Sequence, residues 1–304
     1  MNEVGYIWMN GELVPFAKAH VHVLTHALHY ATAVFEGLRC YNTAKGPAVF
    51  RLNEHVDRLY DSAKIYSMKM PYSKDEIISA IMQTIKASKL DECYIRPIAY
   101  CGYGEMGLTP PKNRIDVAIA CWEWKTGESK AGKFSGAKCK ISSWARLDSR
   151  MQPVKAKSAA NYANAALARM EALNEGYDEA IMLSLTGKVS EGSAENIFIL
   201  KDNTVYTPPL ESDILKGITR DSVIRIMRAD DVPVLERELG REDLYLADEV
   251  FMVGTAAEVK SVAQVDKIKI GSGRMGKFTR RLQKAYTAAV MGKDERFISW
   301  LTHV

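Results

Sequence analysis

The sequence predicts a mixed α/β (α+β) protein of two domains, and three observations carry that prediction. The chain has 304 residues, twice the ~150 that serve as a prior for one domain. Short strand-like runs alternate with amphipathic helical stretches in both halves, without the regular βαβ order that would demand one parallel sheet. Between the halves lies a polar, glycine-punctuated stretch without periodicity, Lys125 to Lys133. It places a linker at 125–133, with an N-terminal domain over 1–124 and a C-terminal domain over 134–304.

The elements follow in order. A helix opening near Asn53 sets Val56, Leu59, Ala63 and Tyr66 on one stripe. The next opens at Ser73-Lys74-Asp75-Glu76, a capping-box spelling, and buries Ile77, Ile78, Ile81 and Ile85. Strands are expected over Glu92–Cys101 and Ile115–Trp122. Beyond the linker, Asn161–Glu175 reads as a helix with Tyr162, Ala166, Met170 and Leu173 inward and Gly176 as its stop. A hairpin surrounds Lys201-Asp202-Asn203, with Asn196–Leu200 before it and Thr204–Thr207 after it. A helix starts after Gly217-Ile218-Thr219, Glu249–Val253 reads as a buried strand, and a helix closes from about Lys277 to Val290.

Composition excludes whole classes. Apolar residues at 47% and charged residues at 26% match an ordinary globular mix, which rules out wholesale disorder. Basic and acidic residues number 41 and 37, a formal surplus of +4 without like-charge blocks, so neither nucleic acid nor a membrane surface is an expected partner. Five cysteines without a CxxC pair argue against a disulfide framework or a thiolate zinc site, and for a reducing cytoplasm. No apolar run reaches the ~18 residues of a membrane helix, and MNEVGYIWMNGELVP lacks the pattern of a signal peptide.

Several motifs compete for the chemistry. Gly102-Tyr103-Gly104-Glu105-Met106-Gly107 spells GxGxxG after a strand, the form of a nicotinamide-dinucleotide loop. Only seven residues separate Gly107 from the strand at Ile115, too few for the helix that must hold the pyrophosphate, so a tight loop is the simpler reading. His20, His22, His26 and His29 crowd together, but without HExxH or a carboxylate among them; core or subunit-contact histidines explain them, and no metal is expected. Lys157, flanked by small residues just before a helix, could be held in a tight pocket as a neutral nucleophilic amine; Lys155 competes for that role. Glu191 is an acid among small residues that could keep a cofactor's ring nitrogen protonated. Gly217-Ile218-Thr219 and the Gly254-Thr255-Ala256-Ala257 turn offer backbone amides to anions.

Together these residues resemble the branched-chain amino-acid aminotransferases, class IV pyridoxal-phosphate enzymes of fold type IV. The resemblance runs over nearly the whole chain. It is carried by His29-Tyr30, Val34-Phe35-Glu36-Gly37, Tyr94-Ile95-Arg96-Pro97, Ser190-Glu191-Gly192 with Glu195-Asn196, Gly217-Ile218-Thr219-Arg220-Asp221 and Gly254-Thr255-Ala256-Ala257-Glu258. It implies a smaller N-terminal α/β domain and a larger C-terminal domain with a mixed, barrel-like sheet.

The resemblance also implies a site. Lys157, four residues before Asn161-Tyr162, would be the catalytic, cofactor-linked lysine. Tyr162 would bond the phenolic oxygen of pyridoxal 5′-phosphate and Glu191 its ring nitrogen. Arg58, Gly217, Ile218, Thr219 and Thr255 would surround the phosphate. The amides of Thr255, Ala256 and Ala257 would take the substrate carboxylate. Phe35, Gly37 and Trp124 would wall an apolar pocket, with Tyr30 and Leu108 from a neighbouring subunit, and Tyr94 and Arg96 would accommodate the distal carboxylate of 2-oxoglutarate. The implied reaction is ping-pong transamination of L-leucine, L-isoleucine and L-valine with 2-oxoglutarate. The implied assembly is a homodimer or a trimer of dimers.

Two departures from the family pattern stand out. The interdomain stretch 125–129 lacks a tyrosine common in bacterial relatives, and Lys216 replaces a frequent proline before Gly217. Rival readings are a D-amino-acid aminotransferase, an R-selective amine transaminase or an aminodeoxychorismate lyase of the same fold. A nicotinamide oxidoreductase and a non-catalytic cofactor binder stand further off.

Overall fold

The structure, a computed structural model, describes residues 5–109, 112–124 and 136–304; the linker expected at 125–133 lies outside the described residues. In chain order the N-terminal elements are β1 (Tyr6–Met9), β2 (Glu12–Pro15), α1 (His26–Tyr30), β3 (Ala33–Phe35), β4 (Leu38–Thr43) and β5 (Gly46–Phe50). There follow α2 (Leu52–Ile65), α3 (Lys74–Ser88), β6 (Cys93–Cys101) and β7 (Ile115–Glu123). Then come β8 (Ala137–Ile141), α4 (Ala159–Asn174), β9 (Glu179–Leu183), β10 (Val189–Gly192), β11 (Asn196–Lys201) and β12 (Thr204–Thr207). The chain ends with α5 (Ile218–Ala229), β13 (Val234–Glu236), α6 (Arg241–Leu246), β14 (Glu249–Gly254), β15 (Glu258–Val265), β16 (Ile268–Lys269), α7 (Lys277–Val290) and β17 (Leu301–His303).

The described residues divide into two compact units. The first takes those up to 124 together with Ala156–Ala160 and Ala289–Val304; the second takes 136–155 and Asn161–Ala288. In the first, eight described strands form an antiparallel sheet in the order β17-β5-β4-β6-β7-β1-β2, with β3 on β6. The two long helices cover it. Leu52, Val56, Leu59 and Ala63 of α2 and Ile77, Ile81 and Ile85 of α3 are buried with Leu38, Ile95 and Ile119 of the sheet. Burying each Leu or Ile side chain is worth roughly 1.5–3 kcal/mol, so this stripe fixes which way both helices face. The expected capping box is formed: Ser73 accepts from the Glu76 N–H, and the Glu76 carboxylate accepts from the Ser73 N–H.

Nine described strands of the second unit form a mixed sheet, curled as a half-barrel, in the order β10-β9-β8-β15-β14-β11-β12-β13, with β16 on β15. Its β8 runs parallel to both β9 and β15. The hairpin of β11 and β12 turns on Asp202 and Asn203, both at positive φ, which Asp and Asn tolerate better than other side chains. One expectation is overturned here. The buried face of α4 is Asn161, Ala165, Ala168 and Ala172, while Ala166, Met170 and Leu173 point outward and Tyr162 is half-buried. Ala168 and Ala172 pack directly on Ala180 and Met182. Small side chains bring this helix close to the sheet, and the longer apolar ones are left outside.

Candidate active site

In the first unit the site is built around one short segment. The Phe35 N–H donates to the Lys157 carbonyl (3.0 Å), and the Lys157 N–H donates to Ser62 Oγ of α2 (2.9 Å). Val34 and Ser158 form an isolated antiparallel bridge. Lys157 Nζ lies 5.0 Å from the centre of the Phe35 ring. Lys155 belongs to the second unit, outside the segment 156–160 that pairs with β3 and α2. Of the two lysines, Lys157 is the one whose backbone is bonded to β3 and α2.

Phe35 has a second basic side chain beside it, that of Arg96. The Arg96 guanidinium carbon lies 4.7 Å from its ring centre, 5.3 Å from that of Tyr94 and 5.8 Å from that of Trp122. The pairing of β6 with β7 creates this box, because Tyr94 stands opposite Trp122 and Arg96 lies two residues along the same face. Tyr94 stacks on Trp122 at 4.9 Å and lies 5.6 Å from Trp124. Arg96 Nη2 donates to Tyr94 Oη at 3.3 Å, whereas its buried Nε has no hydrogen-bond partner among the described residues. A buried guanidinium edge in an aromatic box suits a carboxylate. Gly37 is required where it stands, since a Cβ there would fall 1.9 Å from Tyr94 Oη.

Next to Phe35 in the chain, Glu36 is fully buried and joins two residues of α2. Arg58 donates to it twice, from Nε at 2.6 Å and from Nη2 at 2.9 Å, and His55 Nδ1 lies 2.7 Å from Oε2. Burial would raise the Glu36 pKa, but Arg58 and His55 outweigh it and hold the carboxyl well below its usual range. His55 is pushed below its ordinary value by burial, against the pull of Glu36. Glu36 therefore fixes the orientation of the Arg58 fork.

In the second unit, Glu191 is held at both carboxylate oxygens. Arg146 Nη2 lies 2.9 Å from Oε1, while Asn196 Nδ2 (3.0 Å) and the Leu215 N–H (3.1 Å) donate to Oε2. The register of β10 against β9 shifts between Val189 and Glu191, a bulge of the kind that re-aims a side chain. Gly217 caps α5, and a Cβ there would fall 2.0 Å from Asn196 Oδ1; the cap carries no side-chain hydrogen bond. Ile218 and Thr219 form the first turn of this helix, whose amides and dipole suit an anion. Thr255, Ala256 and Ala257 make the turn between β14 and β15. Tyr162 stands in the first turn of α4.

The remaining candidates lie on the segments around α1 and the 102–109 loop. Leu108 and Tyr30 are exposed, at 79% and 40%, and Tyr30 Oη donates to the Met106 carbonyl. The GxGxxG loop opens no helix over 102–109 or 112–114. Asn113 ties it instead, through the Gly102 and Glu105 carbonyls and the Glu105 N–H, so the dinucleotide reading has no helix to rest on. His26 is buried between Thr32 Oγ1 and the Gly107 carbonyl, and the described residues contain no cluster suited to a metal ion. Sequence reasoning missed Arg146, Ser62 and the Glu36–His55 contact. The only signal was the place of Glu36 and Asn196 inside motifs it did quote.

Comparison with known proteins agrees with this chemistry. The family model for amino-transferase class IV matches residues 33–265. The branched-chain-amino-acid aminotransferase of Escherichia coli (strain K12) is 45% identical over 300 residues, covering 98% of this chain and 97% of the relative. That of Pseudomonas aeruginosa is 44% identical, covering 99% and 97%. The crystal structure of a T.th. branched-chain amino acid aminotransferase with pyridoxamine 5′-phosphate superposes with a TM-score of 0.97 at 46% identity, covering 100% of this chain and 99% of that one. Class IV aminotransferases use pyridoxal 5′-phosphate. By sequence and by fold, the chain belongs to the class IV aminotransferases and shares the fold-type IV architecture of the branched-chain enzymes.

Proposed function

We propose that the chain transfers the amino group of L-leucine, L-isoleucine and L-valine to 2-oxoglutarate, giving the branched 2-oxo acids and L-glutamate in a ping-pong cycle. One observation carries the substrate reading: the Phe35 ring bears the Lys157 amine at 5.0 Å and the Arg96 guanidinium at 4.7 Å. The Lys157 amine thus adjoins an aromatic box with a guanidinium at one edge. Such a pocket suits both a branched aliphatic side chain and the distal carboxylate of 2-oxoglutarate. Apolar pockets separate single methylenes by only ~1–3 kcal/mol, so all three branched substrates are accepted.

The donor set fits the family's cofactor, which when bound supplies an aldehyde that exchanges with the amino group and a ring that draws electrons from the α-carbon. As the family resemblance implies, Arg58 in the first unit and Gly217, Ile218, Thr219 and Thr255 in the second would offer a guanidinium, a hydroxyl pair and backbone amides to its phosphate. Glu191, fixed by Arg146, Asn196 and the Leu215 N–H, holds the ring-nitrogen proton. Tyr162 donates to the phenolic oxygen. Lys157 would serve as the base that takes the proton from the substrate α-carbon. The amides of Thr255, Ala256 and Ala257 take the substrate α-carboxylate, and Phe35, Gly37, Tyr94 and Trp124 wall the side chain.

We infer a homodimer in which Tyr30 and Leu108 complete the neighbouring pocket. Support comes from an exposed apolar patch of the first unit, where Val23, Leu28, Tyr30, Tyr103 and Leu108 lie on two segments joined by His26 and Tyr30. A trimer of dimers is a further arrangement of the same units. A cytoplasmic location accords with five buried, unbridged cysteines and with the absence, among the described residues, of a helix long and apolar enough to cross a membrane.

The test is spectroscopic. Purified protein loaded with pyridoxal 5′-phosphate should lose its visible absorption band on addition of L-leucine and release a branched 2-oxo acid. Lys157→Ala should do neither while keeping its circular dichroism. Conversion by D-alanine but not by L-leucine would transfer the chain to the D-amino-acid enzymes of the same fold.

A further inference from the structure

The lysine segment is tied to α2 by more than one bond. Alongside the Lys157 N–H bond to Ser62 Oγ, the hydroxyls of Tyr66 and Ser158 lie 2.9 Å apart. Ser62 and Ser158 are both fully buried. His55, Arg58 and Ser62 of α2 lie at spacings of three and four residues and form one polar stripe, which Tyr66, the C-cap four residues after Ser62, continues past the helix end. The apolar stripe of Val56, Leu59 and Ala63 lies beside it and is buried in the core.

That stripe suits a particular need. A lysine that is bonded to a cofactor in one half of a cycle and free in the other must return its nitrogen to the same place. Its side chain has several rotatable bonds and defines no place by itself. The backbone must supply the fixed point. Both main-chain polar groups of Lys157 are accounted for, the carbonyl by Phe35 and the N–H by Ser62.

We propose that Ser62, in the last turn of α2, and Tyr66, its C-cap, are positioning residues, which hold the Lys157 N–H and the Ser158 hydroxyl and so set the reach of the lysine nitrogen. The inference rests on the reading of Lys157 as the cofactor-linked residue. Ser62 acts on the N–H of Lys157 itself, and Tyr66 acts one residue on, through the Ser158 hydroxyl. The same helix carries Arg58, so the phosphate grip and the lysine anchor share one rigid element.

The experiment begins with the unsubstituted protein loaded with pyridoxal 5′-phosphate, reduced with borohydride and mapped by peptide mass. Modification at a lysine other than Lys157 removes the underlying reading and this inference with it. With Lys157 modified, Ser62→Ala, Tyr66→Phe and Thr84→Ala are compared. Thr84 is a buried hydroxyl of α3 bonded to the Ala80 carbonyl, and serves as the structural control.

Ser62→Ala should move the pH midpoint of the visible absorption band by about half a unit and slow the single-turnover reaction with L-leucine about tenfold, since small misplacement of a reacting group is costly. Tyr66→Phe should do the same to a smaller degree. Affinity for pyridoxamine 5′-phosphate, which has no link to the lysine, should stay unchanged. Thr84→Ala should move neither spectrum nor rate. An unmoved midpoint in Ser62→Ala, or an equal loss of affinity for both cofactor forms, overturns the inference.

Discussion

Arg146 Nη2 stands 2.9 Å from Glu191 Oε1 with both side chains nearly buried, so the acid assigned to the ring nitrogen is part of an ion pair within its own unit. Removing one member of a buried pair leaves the other charge uncompensated, which typically costs about 3–5 kcal/mol. Arg146→Met should therefore destabilise the protein by about 3 kcal/mol in urea titrations. Glu191→Gln keeps an acceptor for Arg146 and should cost less. It should still bind cofactor but slow loss of the substrate α-proton on the order of 10²-fold, measured by stopped flow. An unchanged single-turnover rate would remove Glu191 from its role.

Arg96→Leu separates the two half-reactions. The guanidinium offers charge-assisted hydrogen bonds, each worth about 1.5–3 kcal/mol. The substitution should thus lower kcat/KM for 2-oxoglutarate by roughly 10- to 100-fold while leaving the L-leucine half-reaction nearly intact. Equal losses for both substrates would show that Arg96 supports the pocket rather than reading the carboxylate.

The Glu36–His55–Arg58 cluster sets an acid limit. His55 has its folded pKa below the ordinary 6.5, so the unfolded chain takes that proton first and stability falls as pH drops below 6.5. Glu36 has its folded pKa below 4.5; its contribution is complete above that value and is lost as pH falls further. Each proton bends the profile by at most about 1.4 kcal/mol per pH unit. Thermal melts of His55→Gln should be flatter than those of the unsubstituted protein between pH 6.5 and 4.5. A parallel profile would exclude His55 as the titrating group.

Leu108 is 79% exposed in an apolar patch assigned to a second copy. Leu108→Asp should weaken that association by burying an unpaired charge, and sedimentation velocity should show lighter species at low concentration. If the patch stays in solvent, the sedimentation coefficient will not change.

Local rules made much of the fold legible. The capping box at Ser73, the Asp202-Asn203 turn and the apolar stripe of α2 each follow from side chains within one or two turns of chain. The face of α4 did not, because its inward residues are alanines whose small size is read as neutral, while Met170 and Leu173 attract the eye and lie outside. Lys157 and Glu191 stood out locally for their small neighbours, but only the family pattern chose Lys157 over Lys155. Their supports were not legible, since Arg146 precedes Glu191 by 45 residues and Ser62 precedes Lys157 by 95. Such pairings exist only after the chain has closed long loops.

The grouping of Ala156–Ala160 with the N-terminal unit constrains how the protein can be cut. A fragment starting at 136 would carry Lys157 but leave behind Phe35 and Ser62, which bond its backbone, and Tyr66, which meets the Ser158 hydroxyl. It would also strand β17, whose partner β5 belongs to the other piece. A cut between the halves would therefore break the backbone anchor of Lys157 and the pairing of β5 with β17 together.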